Sequence, residues 1–118
     1  MIKEKSCGAV VYKKEKEKIY FLIEEMKAGH YSIPKGHVEN NETEIETALR
    51  EIKEETNLEV NLDSNFREVV SYSPYEGCIK DVVFFVAKAK TFDMKEQLIE
   101  VTSLKWLEPV DAINILTF

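Results

Sequence analysis

A mixed α/β fold, one β-sheet with a helix on each side, is predicted by three observations. The chain has 118 residues, enough for one core and too few for two. Runs rich in β-branched and aromatic residues recur along it. One long window, Glu42 to Asn57, instead carries its apolar residues at helical spacing. A sheet with a covering helix on each face is the layer arrangement that buries both.

Ser6 to Lys13 and Lys18 to Glu24 read as two strands joined by a short charged turn. Met26 to Asn41 holds Gly29, Pro34, Gly36 and the pair Asn40-Asn41, so it is expected to be mostly loop, with a short strand at Tyr31 to Ile33. In Glu42 to Asn57 the residues Ile45, Ala48, Leu49 and Ile52 recur at intervals of three and four, which predicts an amphipathic helix. Asn57 is expected to cap it in the left-handed conformation, where asparagine substitutes for glycine. Val60 to Leu62, Phe66 to Tyr72, Asp81 to Ala89 and Leu104 to Leu107 read as further strands. The run Val82 to Ala87 suits either a central strand or an edge used for dimerisation, so monomer and homodimer both stay open. Pro109, followed by Ala112, Ile113 and Leu116, reads as the start of a second helix, expected to be truncated or unusually short because the sequence ends at Phe118.

Composition narrows the function classes. The chain is 44% hydrophobic and 32% charged, an ordinary globular profile forming a single domain over residues 1–118. Met1 to Lys18 lacks the apolar centre of a signal peptide, and Val82 to Ala87 is too short to span a bilayer, so a soluble cytoplasmic protein without a membrane partner is expected. Cys7 and Cys78 have no metal-ligand spacing and read as half-buried thiols. A net charge of −6 is a poor balance for binding nucleic acid by its backbone, which wants a basic face, so no duplex nucleic acid partner is expected. It also looks wrong for a phosphate-rich ligand, unless cations sit between the two.

The candidate site lies on the first helix. At 100° per residue, Glu51, Glu54 and Glu55 fall within about 100° of one another, beside the apolar stripe. Glu51 and Glu55 form a like-charge i,i+4 pair that costs a few tenths of a kcal/mol in an isolated helix, where a lysine at 55 would have been favourable. A solvated acidic face is one reading and a cation-binding face the other.

What precedes the helix favours the second. Gly36, Glu42, Arg50, Glu51, Ile52, Glu54, Glu55 and Leu58 have the spacing of the Nudix box, and the chain resembles the Nudix hydrolase family at every box position but one, Asn57 replacing the second glycine. Both residues tolerate a positive φ, so the departure is mild. The resemblance implies an αβα sandwich with the catalytic helix on one side of a mixed sheet, and hydrolysis of a phosphoanhydride bond with Mg2+ or Mn2+. It implies that Glu55, Glu51 and Glu54 are metal ligands, with the Lys35 carbonyl beside Gly36 as a further one, and that Arg50 orients the glutamates. The general base is Glu51 or else Glu100, six residues before Trp106, a loop position from which related enzymes also reach the metals. His37 is a candidate phosphate contact beside Lys35. Such cations would let an acidic protein hold an acidic nucleotide.

Beyond the box, Ser6 to Tyr12, Pro34 to Glu39, Glu46 to Glu51 and Leu104 to Leu107 look like diadenosine tetraphosphate hydrolases, which release ATP and AMP. That resemblance makes Tyr72, with Tyr75 beside it, the candidate adenine platform. Two other readings compete. One is a Nudix pyrophosphohydrolase of noncanonical nucleoside triphosphates, ADP-ribose or RNA 5′ ends. The other is a non-catalytic Nudix ligand sensor.

Overall fold

Strand alternation decides which residues meet. The computed structural model describes residues 1–116, and in its first strand, β1 (Ile2–Glu15), Cys7, Ala9 and Val11 are fully buried on one face. β1 runs parallel to β6 (Cys78–Ala89) from Ile2↔Cys78 to Tyr12↔Lys88. In that register Cys7 lies beside Val83, Ala9 beside Phe85 and Val11 beside Ala87, all members of one core cluster.

The hairpin from β1 into β2 (Lys18–Met26) turns on Lys16 and Glu17, both at positive φ, the conformation that tight two-residue hairpins demand. β3 (Tyr31–Ser32) pairs with β2, and β4 (Lys35–His37) pairs with β1. After α1 (Glu44–Thr56), β5 (Val60–Tyr72) pairs with β6, and β7 (Val101–Leu107) returns to β2. The sheet order is β3-β2-β1-β6-β5, with β4 beside β1 and β7 beside β2. The short α2 (Pro109–Ile115) packs against β2 through the buried Ala112. This is the predicted mixed sheet with a helix on each side. Among the described residues no helix is long and apolar enough to cross a membrane.

Several boundaries differ from the sequence expectation: β1, β2, β6 and β7 are longer, and Lys35–His37, expected as loop, forms β4. The helix begins at Glu44, two residues late, because Thr43 caps it: its hydroxyl accepts from the Glu46 N–H at 3.1 Å, and the Glu46 carboxylate accepts from the Thr43 N–H at 2.9 Å. The two strands expected within 60–72 are one strand, interrupted where Asp63 pairs with Val86 and Glu68 with Phe84, so that four residues of β5 bow out opposite one of β6. Within the bow, Asp63 Oδ1 accepts from the Asn65 N–H, a local turn that competes with the ladder. Val82 to Ala87 lies in β6 with strands on both sides, which removes it as a dimerisation edge. The second helix starts at Pro109 as expected, but the last residues of that segment, including Phe118, lie outside the described residues.

α1 docks through Ala48 and Ile52, both fully buried against the β1 and β6 face. Burying Ile52 contributes roughly 1.5–3 kcal/mol, and Ile52→Ala would forfeit that and open a cavity. Its end is set as the sequence predicts: Asn57 sits at φ 67°, and its N–H reaches the Lys53 carbonyl at 2.9 Å.

Candidate active site

Arg50 organises the start of the acidic face. Glu42, just ahead of the helix, grips it by a two-pronged contact, Nε to Oε2 at 2.7 Å and Nη2 to Oε1 at 3.0 Å. Glu42 also accepts from the Thr47 hydroxyl and the Glu39 N–H, each at 3.0 Å. The hydrogen bond from Arg50, ahead of the other contacts, holds the Glu42 carboxyl down at about 2. The remaining guanidinium donors reach the His37 carbonyl at 2.9 Å, Glu51 Oε1 at 2.8 Å and Glu54 at 3.3 Å. With Glu39 Oε2 3.6 Å from Nη2, one cation thus faces four acids and ties the loop to the helix.

Glu51 lies folded against the backbone of Gly36. A Cβ at position 36 would overlap its carboxylate carbon and both oxygens, so glycine is required there for close approach. Burial raises the Glu51 pKa, with Arg50 working in the opposite direction. Glu54 is half exposed. Glu55 is only 4% exposed and accepts from the Lys35 N–H at 3.2 Å.

Facing Glu55 is a residue that helical spacing could not reveal. Glu24 of β2 is 1% exposed, and its carboxyl lies in hydrogen-bond contact with that of Glu55, a contact that needs a proton on one of them. Desolvation, then the neighbouring charge, pushes Glu24 up to about 10, and burial pushes Glu55 up to about 7. Glu24 Oε2 is buried without a hydrogen-bond partner. The signal was the alternation Tyr20, Leu22, Glu24, which puts a carboxylate on the apolar face of its strand.

The donors fit a hard divalent cation: carboxylate oxygens in surplus, one of them orphaned and buried. Among the described residues no three His, Cys, Asp or Glu side chains converge as a preformed cage. Magnesium does not need one, since it keeps waters and takes one or two carboxylates plus phosphate oxygens.

On the opposite face of the sheet a cleft of about 460 Å3 is lined by Val70, Tyr72, Val82 and Phe84, with His30, Ser32 and Lys35 along its rim. Tyr72, 45% exposed, presents its ring to this cleft's lining. His30 and Ser32 lie beyond the sequence reading, because their loop carries no periodicity and only β2–β3 pairing brings them here. Lys35 links the two regions, its backbone bound to Glu55 and its side chain in the cleft.

Three other candidates lie elsewhere. Tyr75 is in the β5–β6 turn and donates its hydroxyl to Glu4 Oε1 at 3.2 Å. The other oxygen of Glu4 faces exposed His37 Nε2 at 3.6 Å. Neither Tyr75 nor His37 lines the cleft. Glu100 sits at the bend before β7, where its backbone carbonyl accepts from the Lys27 N–H at 2.6 Å; among the described residues its carboxylate has no bonded partner.

Residues 3–117 match the NUDIX domain. The chain is 34% identical over 116 residues to the bis(5′-nucleosyl)-tetraphosphatase [asymmetrical] of Caenorhabditis elegans, covering 94% of this chain and 83% of that one. It is 29% identical over 126 residues to the Sus scrofa protein of the same name, covering 97% and 85%. Among solved structures, a C. elegans Ap4A hydrolase binary complex superposes with a TM-score of 0.87 at 33% identity, covering 98% of this chain and 87% of that one. The NUDIX domain of Shewanella oneidensis NrtR complexed with ADP ribose, at 17% identity and a TM-score of 0.79, covers 100% and 81% and shares the fold.

Proposed function

The chain belongs to the NUDIX family, and on that premise we propose that it is a divalent-metal-dependent hydrolase cutting diadenosine tetraphosphate asymmetrically, into ATP and AMP. The observation that carries this reading is the joining, through β4, of a base-sized apolar cleft to a carboxylate-rich helix face. The choice of dinucleotide is supported by similarity to enzymes of that name over most of the chain.

Magnesium or manganese, held by Glu55, Glu51 and Glu54 with the Lys35 carbonyl, would neutralise the polyphosphate and acidify the attacking water. The protein's own groups do the rest. Arg50, locked by Glu42, keeps Glu51 and Glu54 oriented. Gly36 allows Glu51 to lie against the chain. Lys35 and His37 offer positive charge to phosphate oxygens, Tyr72 stacks an adenine, and Glu51 or Glu100 takes the proton from water. Tyr75 would meet only an outlying part of the substrate. The same reading puts the enzyme in the cytoplasm, with Cys7 and Cys78 as free buried thiols.

The test is a product analysis. Purified protein with magnesium is given diadenosine tetraphosphate, ADP-ribose, dGTP and triphosphorylated RNA, beside a Glu55→Gln control. ATP and AMP from the first compound alone, lost in the control, is the expected result. Preferential turnover of another compound would refute the substrate, and no turnover by folded, metal-binding protein would refute the enzyme.

A further inference from the structure

Resting on the reading of Glu51, Glu54 and Glu55 as the metal-binding face, we propose that Glu24 is a fourth carboxylate of that site, holding a divalent cation between β2 and α1 together with Glu55. The position is an unusual one for an acid. Glu24 stands in the middle of β2, between β3 and β7, paired with Ser32 on one side and Leu104 on the other. It follows Leu22 on the face that packs under α1, and it is 1% exposed. A leucine would fill such a place without cost, whereas a carboxylate buried without compensation costs several kcal/mol.

The compensation is not supplied by the protein's own cations. Arg50 is committed to Glu42, Glu51 and Glu54. Lys35 is the cation whose charge reaches both Glu24 and Glu55, yet among the described residues no ion pair joins it to either. Glu24 Oε2 consequently has no donor. Two facing carboxyl groups with an orphaned buried oxygen, beside the half-buried Glu51, are a hard-oxygen donor set in which a divalent cation can take the place of the shared proton. Helix spacing alone supplies three acids from one element. Glu24 adds an acid from the sheet, so that ligands approach a cation from two directions.

The alternative is a buried carboxyl that only hydrogen-bonds Glu55 and fixes its orientation. Metal binding to the nucleotide-free protein separates the two. Wild type, Glu24→Gln, Glu24→Leu and Glu55→Gln are stripped with EDTA, titrated with Mn2+, and followed by the electron paramagnetic resonance signal of free Mn2+, with thermal melts in EDTA alongside. Glutamine keeps a donor to Glu55 while removing the charge; leucine removes both. The expected result is weakening of the tightest Mn2+ site by about tenfold or more in both Glu24 variants. Their metal-free melting temperatures should equal or exceed that of wild type, which shows that folding is intact. Wild-type Mn2+ affinity in both Glu24 variants, with loss in Glu55→Gln, would overturn the role of Glu24 and leave the metal-binding face standing. Equal binding by wild type and all three variants would overturn both.

Discussion

Replacing Gly36 by alanine is predicted to disable the site while leaving the fold. The φ of Gly36 is outside the left-handed region, so its backbone accepts an alanine. The added methyl, however, falls deep inside the van der Waals radius of the Glu51 carboxylate. Non-bonded carbons settle roughly 3.5–4.0 Å apart, so the carboxylate must withdraw by more than about 1 Å. What yields is the end of a flexible side chain, tethered to Arg50 Nη1 at 2.8 Å and 14% exposed. Losing that tether costs about 1 kcal/mol, a fall of about 3–6 °C in melting temperature. A displacement of about 1 Å in a positioned group costs about 100-fold in rate, equivalent to about 2.7 kcal/mol. The assay is kcat/KM for diadenosine tetraphosphate by chromatography of ATP and AMP, paired with a thermal melt. Gly8→Ala is the comparison, because its Cβ would strike the Pro34 carbonyl and the Lys35 backbone, which cannot swing aside. Overpacking there costs roughly 1–3 kcal/mol and should lower the melting temperature more. A Gly36→Ala enzyme within about threefold of wild-type activity, or one melting below Gly8→Ala, would refute the reasoning.

Arg50→Lys exchanges a fork for a point charge and gives up most of the contacts to Glu42, Glu51 and the His37 carbonyl. It is expected to lower kcat about 10- to 100-fold, raise the magnesium requirement and cost on the order of 2 kcal/mol of stability, read from a magnesium titration and a melt. Tyr72→Ala should raise KM by about 5- to 100-fold, the worth of one base stack. Tyr75→Phe, whose hydroxyl serves Glu4, should leave KM unchanged, and steady-state kinetics of the pair decide whether the cleft is the base site. In EDTA, stability should peak in weakly acidic buffer. Glu24 and Glu55 titrate above the ordinary 4.5, so their contribution is full below that value and fades as pH rises through about 7 for Glu55 and about 10 for Glu24. Glu42 and Glu44, held at about 2, contribute above 4.5 and lose their contribution as pH falls through about 2. Melting temperatures that stay flat from about pH 5 to 9 would contradict the burial of the first pair.

What the sequence made legible is what repeats locally. The helix face with Glu51, Glu54 and Glu55, its left-handed end at Asn57 and the layer arrangement follow from periods of 3.6 and 2. The Thr43-to-Glu46 capping box, a signal the helical period passed over, moves the helix start from 42 to 44, freeing Glu42 to clasp Arg50 from outside the helix. Less legible was anything set by register between distant strands. Glu24 meets Glu55 only once β2 lies under α1, and His30 reaches the cleft only through β2–β3 pairing. Tyr72 and Tyr75 are three residues apart and alike in composition, yet the first ends a strand over the cleft and the second turns back toward Glu4.

The three residues of β4 have a mechanical consequence. Adjacent positions in a strand address opposite sides of a sheet, so Lys35 reaches the apolar cleft while Gly36 makes room for Glu51, and the Lys35 N–H holds Glu55. On the proposed reading, a nucleoside in that cleft that draws Lys35 toward it would shift, through one peptide unit, the carboxylates that β4 touches. Affinity gained at the remote end of the ligand would then be converted into alignment at the reacting end, so that a distant group of the substrate would matter to turnover and not only to binding. A nucleotide fragment lacking the base would then be cut slowly even when saturating.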